Sequence, residues 1–118
     1  MTTPADKPLS LETTRQGDAV IVKISGAVSM SEAERFRMSL EGLAAEHVPL
    51  IVLDLSEMEF ISSLGLGAII SGHLKCRHHR GQIKLVQPTA PVRELLETTR
   101  LTKLFGIYDS VEQALPKA

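Results

Sequence analysis

The sequence predicts one α/β domain built on a mixed, mostly parallel sheet of four to five strands with about four helices. Three observations predict it. Aliphatic runs rich in β-branched residues occur at 19–24 (AVIVKI), 50–55 (LIVLDL) and 82–87 (QIKLVQ). The stretches between them carry apolar residues at helical spacing, and strands alternating with helices are the mark of parallel βαβ units. The 118 residues are enough for a single buried core and short for two.

Residues 1–8, MTTPADKP, lack periodic hydrophobics and read as a mobile tail ahead of a domain over 9–116. SLETTR at 10–15 reads as a short edge strand, and Gln16-Gly17-Asp18 as a hairpin turn into 19–24. From Ser29 to about Glu46 the period becomes helical, with Ala33, Phe36, Leu40, Leu43 and Ala44 on one stripe and a capping box in Ser29/Glu32 or Ser31/Glu34. LIVLDL follows Pro49 and is apolar except for Asp54, as suits a central strand covered on both faces. Ser56 to Phe60 reads as a short connection. A second helix is expected from Leu64 to about Arg80, with Ser63 as N-cap and Leu66, Ile69, Ile70, His73, Leu74 and Arg77 on one side. Gly65, Gly67 and Gly72 each cost about 1 kcal/mol of helix propensity against alanine, which calls for close approach of helix and sheet. After the strand at 82–87, PTAPVRELLETT forms a helix with Pro91 in its first turn and Val92, Leu95 and Leu96 inward. A short strand at 104–108 precedes a last helix, capped by Asp109 with Glu112, that turns Val111, Ala114 and Leu115 inward.

Composition excludes several functions. Thirteen Lys and Arg against fourteen Asp and Glu leave a net charge of −1, which gives no field to gather nucleic acid or an anionic membrane. No Trp, one Tyr and three Phe offer little for stacking on bases. The basic cluster Lys75, Arg77, His78, His79 and Arg80 closes a helix just before Gly81, where cations suit the exposed carbonyls. The lone Cys76 forms no internal disulfide, and neither cysteine nor histidine spacing suggests a metal; His78 and His79, adjacent on a helix, point about 100° apart. No apolar leader and no run long enough to span a bilayer are present, so a reducing cytoplasm is expected.

The stretch "FISSLGLGAIISG", 60–72, is the candidate site. A dinucleotide fingerprint starting at Gly65 would need glycine where Ile70 stands, and no Gly-Lys-Ser/Thr of a P-loop occurs. The nucleophile elbow Gly-x-Ser-x-Gly lacks its leading glycine at Ile61, and none of His47, His73, His78 and His79 is placed as a base. The chain therefore reads as a non-enzyme without cofactor or metal. Asp54, a carboxylate in an apolar strand, reads either as a structural hydrogen-bond acceptor or as a partner contact at the strand's C-terminal end, beside the 62–66 turn.

"IVLDLSEMEFISSLGLGAI", 51–69, resembles the signature of STAS domains, the family of bacterial anti-sigma factor antagonists and related sulfate-transporter modules. Its pattern is a hydrophobic strand ending in Asp-Leu-Ser, about four residues, an aromatic-Ile/Val pair, then Asp/Ser-Ser-x-Gly-Leu opening a helix. The resemblance extends over roughly 9–116 through "VIVKISGAVSMSEAERF" and "IKLVQPTAPVRELLETTRLTKLFGIYDSVEQAL". It implies a single STAS-type domain acting as an anti-sigma factor antagonist. Unmodified, such a domain binds an anti-sigma factor that is also a serine kinase of the histidine-kinase-like ATPase type, and so frees a sigma factor; phosphorylated, it does not bind. The acceptor maps to Ser63, with Gly65 and Leu66 as the following Gly-Leu. Many antagonists carry Asp before the acceptor and Ser or Thr after it; here Ser62 and Leu64 stand there, and Ser62 is an alternative acceptor. The alternative to a switch is a constitutive structural subunit of a stressosome-like or transport complex, and a homodimer is left open.

A phosphate adds roughly −1.5 to −2 charges, which a helix N-terminus tolerates. The expected partner surface comprises Asp54, Ile61, Ser62, Ser63, Leu64, Gly65 and Leu66, with Ile61, Leu64 and Leu66 as apolar neighbours of the hydroxyl. Gly65 and Gly67 fit either close approach of a partner or packing on the sheet.

Overall fold

The structure, a computed structural model, describes residues 8–116, so the tail expected over 1–8 lies outside the described residues except for Pro8. Five strands form one sheet in the order of the chain: β1 (Ser10–Gln16), β2 (Ala19–Val28), β3 (Leu50–Ile61), β4 (Gln82–Val86) and β5 (Gly106–Tyr108). Only β1 runs antiparallel, joined to β2 through Gly17 in the left-handed region at φ +62°. The other three pairs are parallel. The crossovers supply α1 (Ala33–Ala45), α2 (Ser63–Arg77) and α3 (Ala90–Thr98), and α4 (Val111–Ala114) closes the chain.

Strand order without reversal puts every crossover helix on the same face, because βαβ connections keep one hand. The main core accordingly joins Phe36 and Leu40 of α1, Ile69 and Cys76 of α2 and Val92 and Leu96 of α3 to Val22, Ile24, Ile51, Leu53, Leu55 and Leu85 of the sheet. Across the sheet a smaller cluster of Ala19, Leu50, Val52 and Val86 lies under Ala114 of α4. With residues 50–53 all buried, β3 is covered on both faces as its unbroken run predicts.

Three boundaries differ from the sequence expectation, each for a physical reason. The stretch 56–60 is strand, not a connection. Its pairing with β2 slips by one residue between Lys23 and Ser25 and again between Gly26 and Ala27, so the inward residues of β3 become Leu55, Met58 and Ile61, three apart. Two bulges thereby erase the alternation that identifies a strand. At α1 no capping box forms: Glu32 is the N-cap without a side-chain capping bond, while the hydroxyls of Ser29 and Ser31 lie 3.0 Å apart. Glu32 instead pairs with Arg35 at 3.3 Å, and its carboxyl is held below the usual range by that bond. At α4 the cap is Ser110, accepting from the Gln113 amide at 3.1 Å, with Gln113 returning its side-chain oxygen to the Asp109 amide; the pair expected in Asp109 and Glu112 is displaced by one residue.

The left-handed residue after α2 is Arg80, at φ +67°, rather than Gly81. Gly81 is needed for space, because a Cβ there would stand 2.9 Å from the Val48 carbonyl oxygen. The imidazoles of His47 and His79, each near a helix end, stack at 4.4 Å. On α2 the inward side is Gly65, Leu66, Ala68, Ile69, Gly72, His73 and Cys76, so Leu74 and Arg77, expected inward, are exposed.

Candidate functional site

The site forms where β2 and β3 end together. Val28 and Ile61 are the last paired residues, and the Ser62 amide donates to the Val28 carbonyl at 2.8 Å, locking the exit of β3 to that of β2. Ser62 is extended, at φ −79° and ψ 167°, and its Oγ accepts from the Gly65 amide at 3.1 Å. That is an N-cap, which meets one of the orphan donors of the first turn. The cap assigned to Ser63 from sequence therefore belongs to Ser62, which is 7% exposed. Two adjacent serines could each fill the role; the β2 to β3 hydrogen bond selects the one whose backbone is extended.

Ser63 consequently sits at the first helical position, with an exposed side chain that makes no hydrogen bond among the described residues. The first turn of α2 carries no acidic residue, so no carboxylate within that turn offsets the partial positive charge of its N-terminus. Leu64 beside it is 54% exposed. Because Val28 and Ile61 are paired, Met30 and Ser63 each lie two residues beyond the same ladder end, and Met30 is 66% exposed. Phe60, at 42%, adds a third apolar group near the end of β3.

Of the residues expected to surround the hydroxyl, only Leu64 presents its side chain. Ile61 and Leu66 are 3% and 7% exposed and belong to the core, where they seat α2 on the sheet. Gly65 is buried for the same reason: a Cβ would stand 2.7 Å from Ile61 Cγ1 and 2.8 Å from Val28 Cγ1. Gly67 meets nothing within 4 Å, so packing does not explain it, whereas a Cβ on Gly72 would touch Leu40 and Ile83. Asp54 lies mid-strand, opposite Lys23 and Val86 at the C-terminal end of the β3 to β4 ladder, and Oδ1 accepts from the Ser56 amide at 3.0 Å. Seven steps of the continuous strand lie between it and Ile61, roughly 23 Å when extended, so it is not beside the 62–66 turn. Sequence reasoning missed Met30 and Phe60. The aromatic signal at Phe60 was legible, but Met30 comes level with Ser63 only through the pairing of β2 with β3.

His73 shows no sign of a base. It is buried, its Nδ1 accepts from the Ile83 amide at 3.2 Å, and desolvation, aided by Arg77, lowers its pKa. No group of three or more His, Cys, Asp or Glu suited to a metal occurs among the described residues. The Ser63 hydroxyl is thus exposed beside an exposed leucine, Leu64.

The STAS domain family model matches residues 10–114. The chain belongs to the STAS domain family. Among relatives of this STAS domain, the anti-sigma F factor antagonist of Paenibacillus polymyxa is 29% identical over 108 residues, 91% of this chain and 92% of that one. The crystal structure of an anti-sigma factor antagonist from Mycobacterium paratuberculosis superposes with a TM-score of 0.83 at 24% identity, covering 97% of this chain and 95% of that one. The antagonist SpoIIAA in its unphosphorylated form gives 0.78 at 18% identity over 91% and 92% of the two chains. Bacillus SpoIIAA in its phosphorylated form gives 0.71 at 17% over 91% and 96%. These likenesses establish the fold. No described helix of this STAS domain is long and apolar enough to cross a membrane.

Proposed function

We propose that this STAS domain is an anti-sigma factor antagonist whose binding is controlled at Ser63. With Ser63 unmodified it binds an anti-sigma factor, itself a serine kinase of the histidine-kinase-like ATPase type, in the cytoplasm, and a sigma factor is freed. Phosphate on Ser63 ends the association. The domain is a binding module and substrate rather than an enzyme, and it touches no nucleic acid.

One observation carries the reading: of two adjacent serines, Ser62 is buried and spent on the cap, while Ser63 is exposed and free of hydrogen bonds among the described residues, beside exposed Leu64. The relatives named as anti-sigma factor antagonists, and SpoIIAA in two phosphorylation states, support the choice of partner and of modification. Division of labour between the serines also supports Ser63 over Ser62 as the acceptor. A dianion beside exposed Leu64 would be buried unpaired on docking, at a cost of about 2 to 5 kcal/mol, or about 30-fold to several-thousand-fold in affinity.

The test is phosphorylation by a cognate anti-sigma factor serine kinase with ATP, mapped by mass on wild type, Ser62→Ala and Ser63→Ala, followed by pull-down. Phosphate on wild type and Ser62→Ala but not on Ser63→Ala, with loss of capture after phosphorylation, is the expected result. Stable capture with no phosphate on either serine would favour a constitutive structural subunit instead.

A further inference from the structure

Beyond the α2 N-terminus, a groove of about 300 Å³ runs between the end of β3 and α3. Pro91, Glu94 and Leu95 fall on one stripe of α3, next to the inward stripe of Val92 and Leu96. The facing wall is Glu59, Phe60 and Ile61. Its floor is thus apolar, its mouth carries two carboxylates, and no lysine, arginine or histidine lines it. Glu94 makes no hydrogen bond or ion pair among the described residues. Glu57, close by on β3, is by contrast bonded to Lys23 at 2.9 Å. The groove shares Phe60 and Ile61 with the end of β3 that delivers Ser62 and Ser63, so a protein seated on the α2 N-terminus reaches it without a second binding event.

We propose that this groove is a selectivity pocket of the partner surface, taking one aliphatic side chain of the partner that is flanked in sequence by lysine or arginine. The proposal rests on the functional reading above for the identity of the partner. Phe60 and Leu95 wall the aliphatic group, and the carboxylate of Glu94 accepts from the flanking cation. A polar rim around an apolar anchor is how interfaces divide affinity from selection, and charges at such a rim suppress wrong partners. A partner surface with an acidic residue at that position would be rejected.

The pocket can be probed without the kinase. Titration of the ¹⁵N-labelled domain with the blocked tripeptide Lys-Leu-Lys should shift the amides of Phe60, Leu95 and Thr98 with a saturable, millimolar Kd, leaving Ser63 and Leu64 unmoved. Glu-Leu-Glu should shift none of them, and Glu94→Lys should weaken the Lys-Leu-Lys response at least tenfold while keeping the rest of the spectrum. Equal response to both peptides, or none to either, overturns the proposal. In the second arm, Glu94→Lys should lower affinity for the serine kinase at least fivefold with Ser63 still phosphorylated. Unchanged affinity there overturns the pocket alone; a wild type that neither binds nor is phosphorylated overturns the functional reading and leaves the peptides to decide the pocket.

Discussion

At the scale of single residues, the two serines make separable predictions. Ser62→Ala removes the acceptor of the Gly65 amide, a buried bond, so it should lower stability by about 0.5 to 2 kcal/mol, read as a shift in urea midpoint, without removing the phosphorylation site. Ser63→Asp should do the opposite. An acid in the first turn suits the helix N-terminus, so its melting temperature should match wild type or exceed it slightly, while affinity for the partner falls at least tenfold. Which serine caps was not legible in "ISSLG": either fits the pattern, and the choice is made by the Val28 carbonyl, thirty-four residues away, holding the Ser62 amide.

Among the elements, the glycines of α2 separate packing from exposure. Gly65→Ala should cost about 1 to 3 kcal/mol, because the new Cβ meets Cγ1 of Ile61 and of Val28, branched side chains that cannot swing aside. Gly67→Ala meets nothing within 4 Å and should stabilise the domain by up to about 1 kcal/mol through helix propensity. Denaturant melts of the two variants check both signs. From sequence the two glycines look alike, both inviting close approach; only their phase around the helix, set by where α2 rests on β2 and β3, tells them apart. The length of β3 was hidden in the same way. Leu55, Met58 and Ile61 face the core at a spacing that matches neither strand nor helix, because each of two bulges adds a residue that β2 does not have. What periodicity could report, it reported well: the strands at 19–24, 50–55 and 82–87, and the inward faces of Phe36, Leu40, Val92 and Leu96, lie where the pattern puts them.

Across the whole molecule, α1 and α2 are tied on their outer side by Glu41, which pairs with Lys75 at 2.9 Å and Arg37 at 2.8 Å and accepts from Ser71. These bonds, Lys75 first, lower its pKa to about 2 from an ordinary 4.5. A carboxylate depressed in the folded state contributes stability that is complete above its unfolded pKa and disappears as pH falls through the folded one. The urea midpoint should therefore decline from about pH 4.5 towards pH 2, and Glu41→Gln should flatten part of that decline. His73 acts in a higher window. Burial lowers its pKa from 6.5, the unfolded chain binds the proton first, and stability should begin to fall as pH drops below that value; an NMR titration should place the His73 midpoint below those of exposed histidines. The mixed, mostly parallel sheet follows from the alternation of strands and helices, but the placing of Met30 level with Ser63 does not, since it depends on β2 and β3 ending in register.

The most direct measurement is equilibrium binding of the serine kinase to the domain before and after stoichiometric phosphorylation of Ser63, with circular dichroism and melting recorded on both forms. A loss of about 30-fold or more in affinity between two equally folded forms is predicted. Equal affinity, or a phosphorylated form that has lost its fold, would contradict control by charge at an exposed hydroxyl.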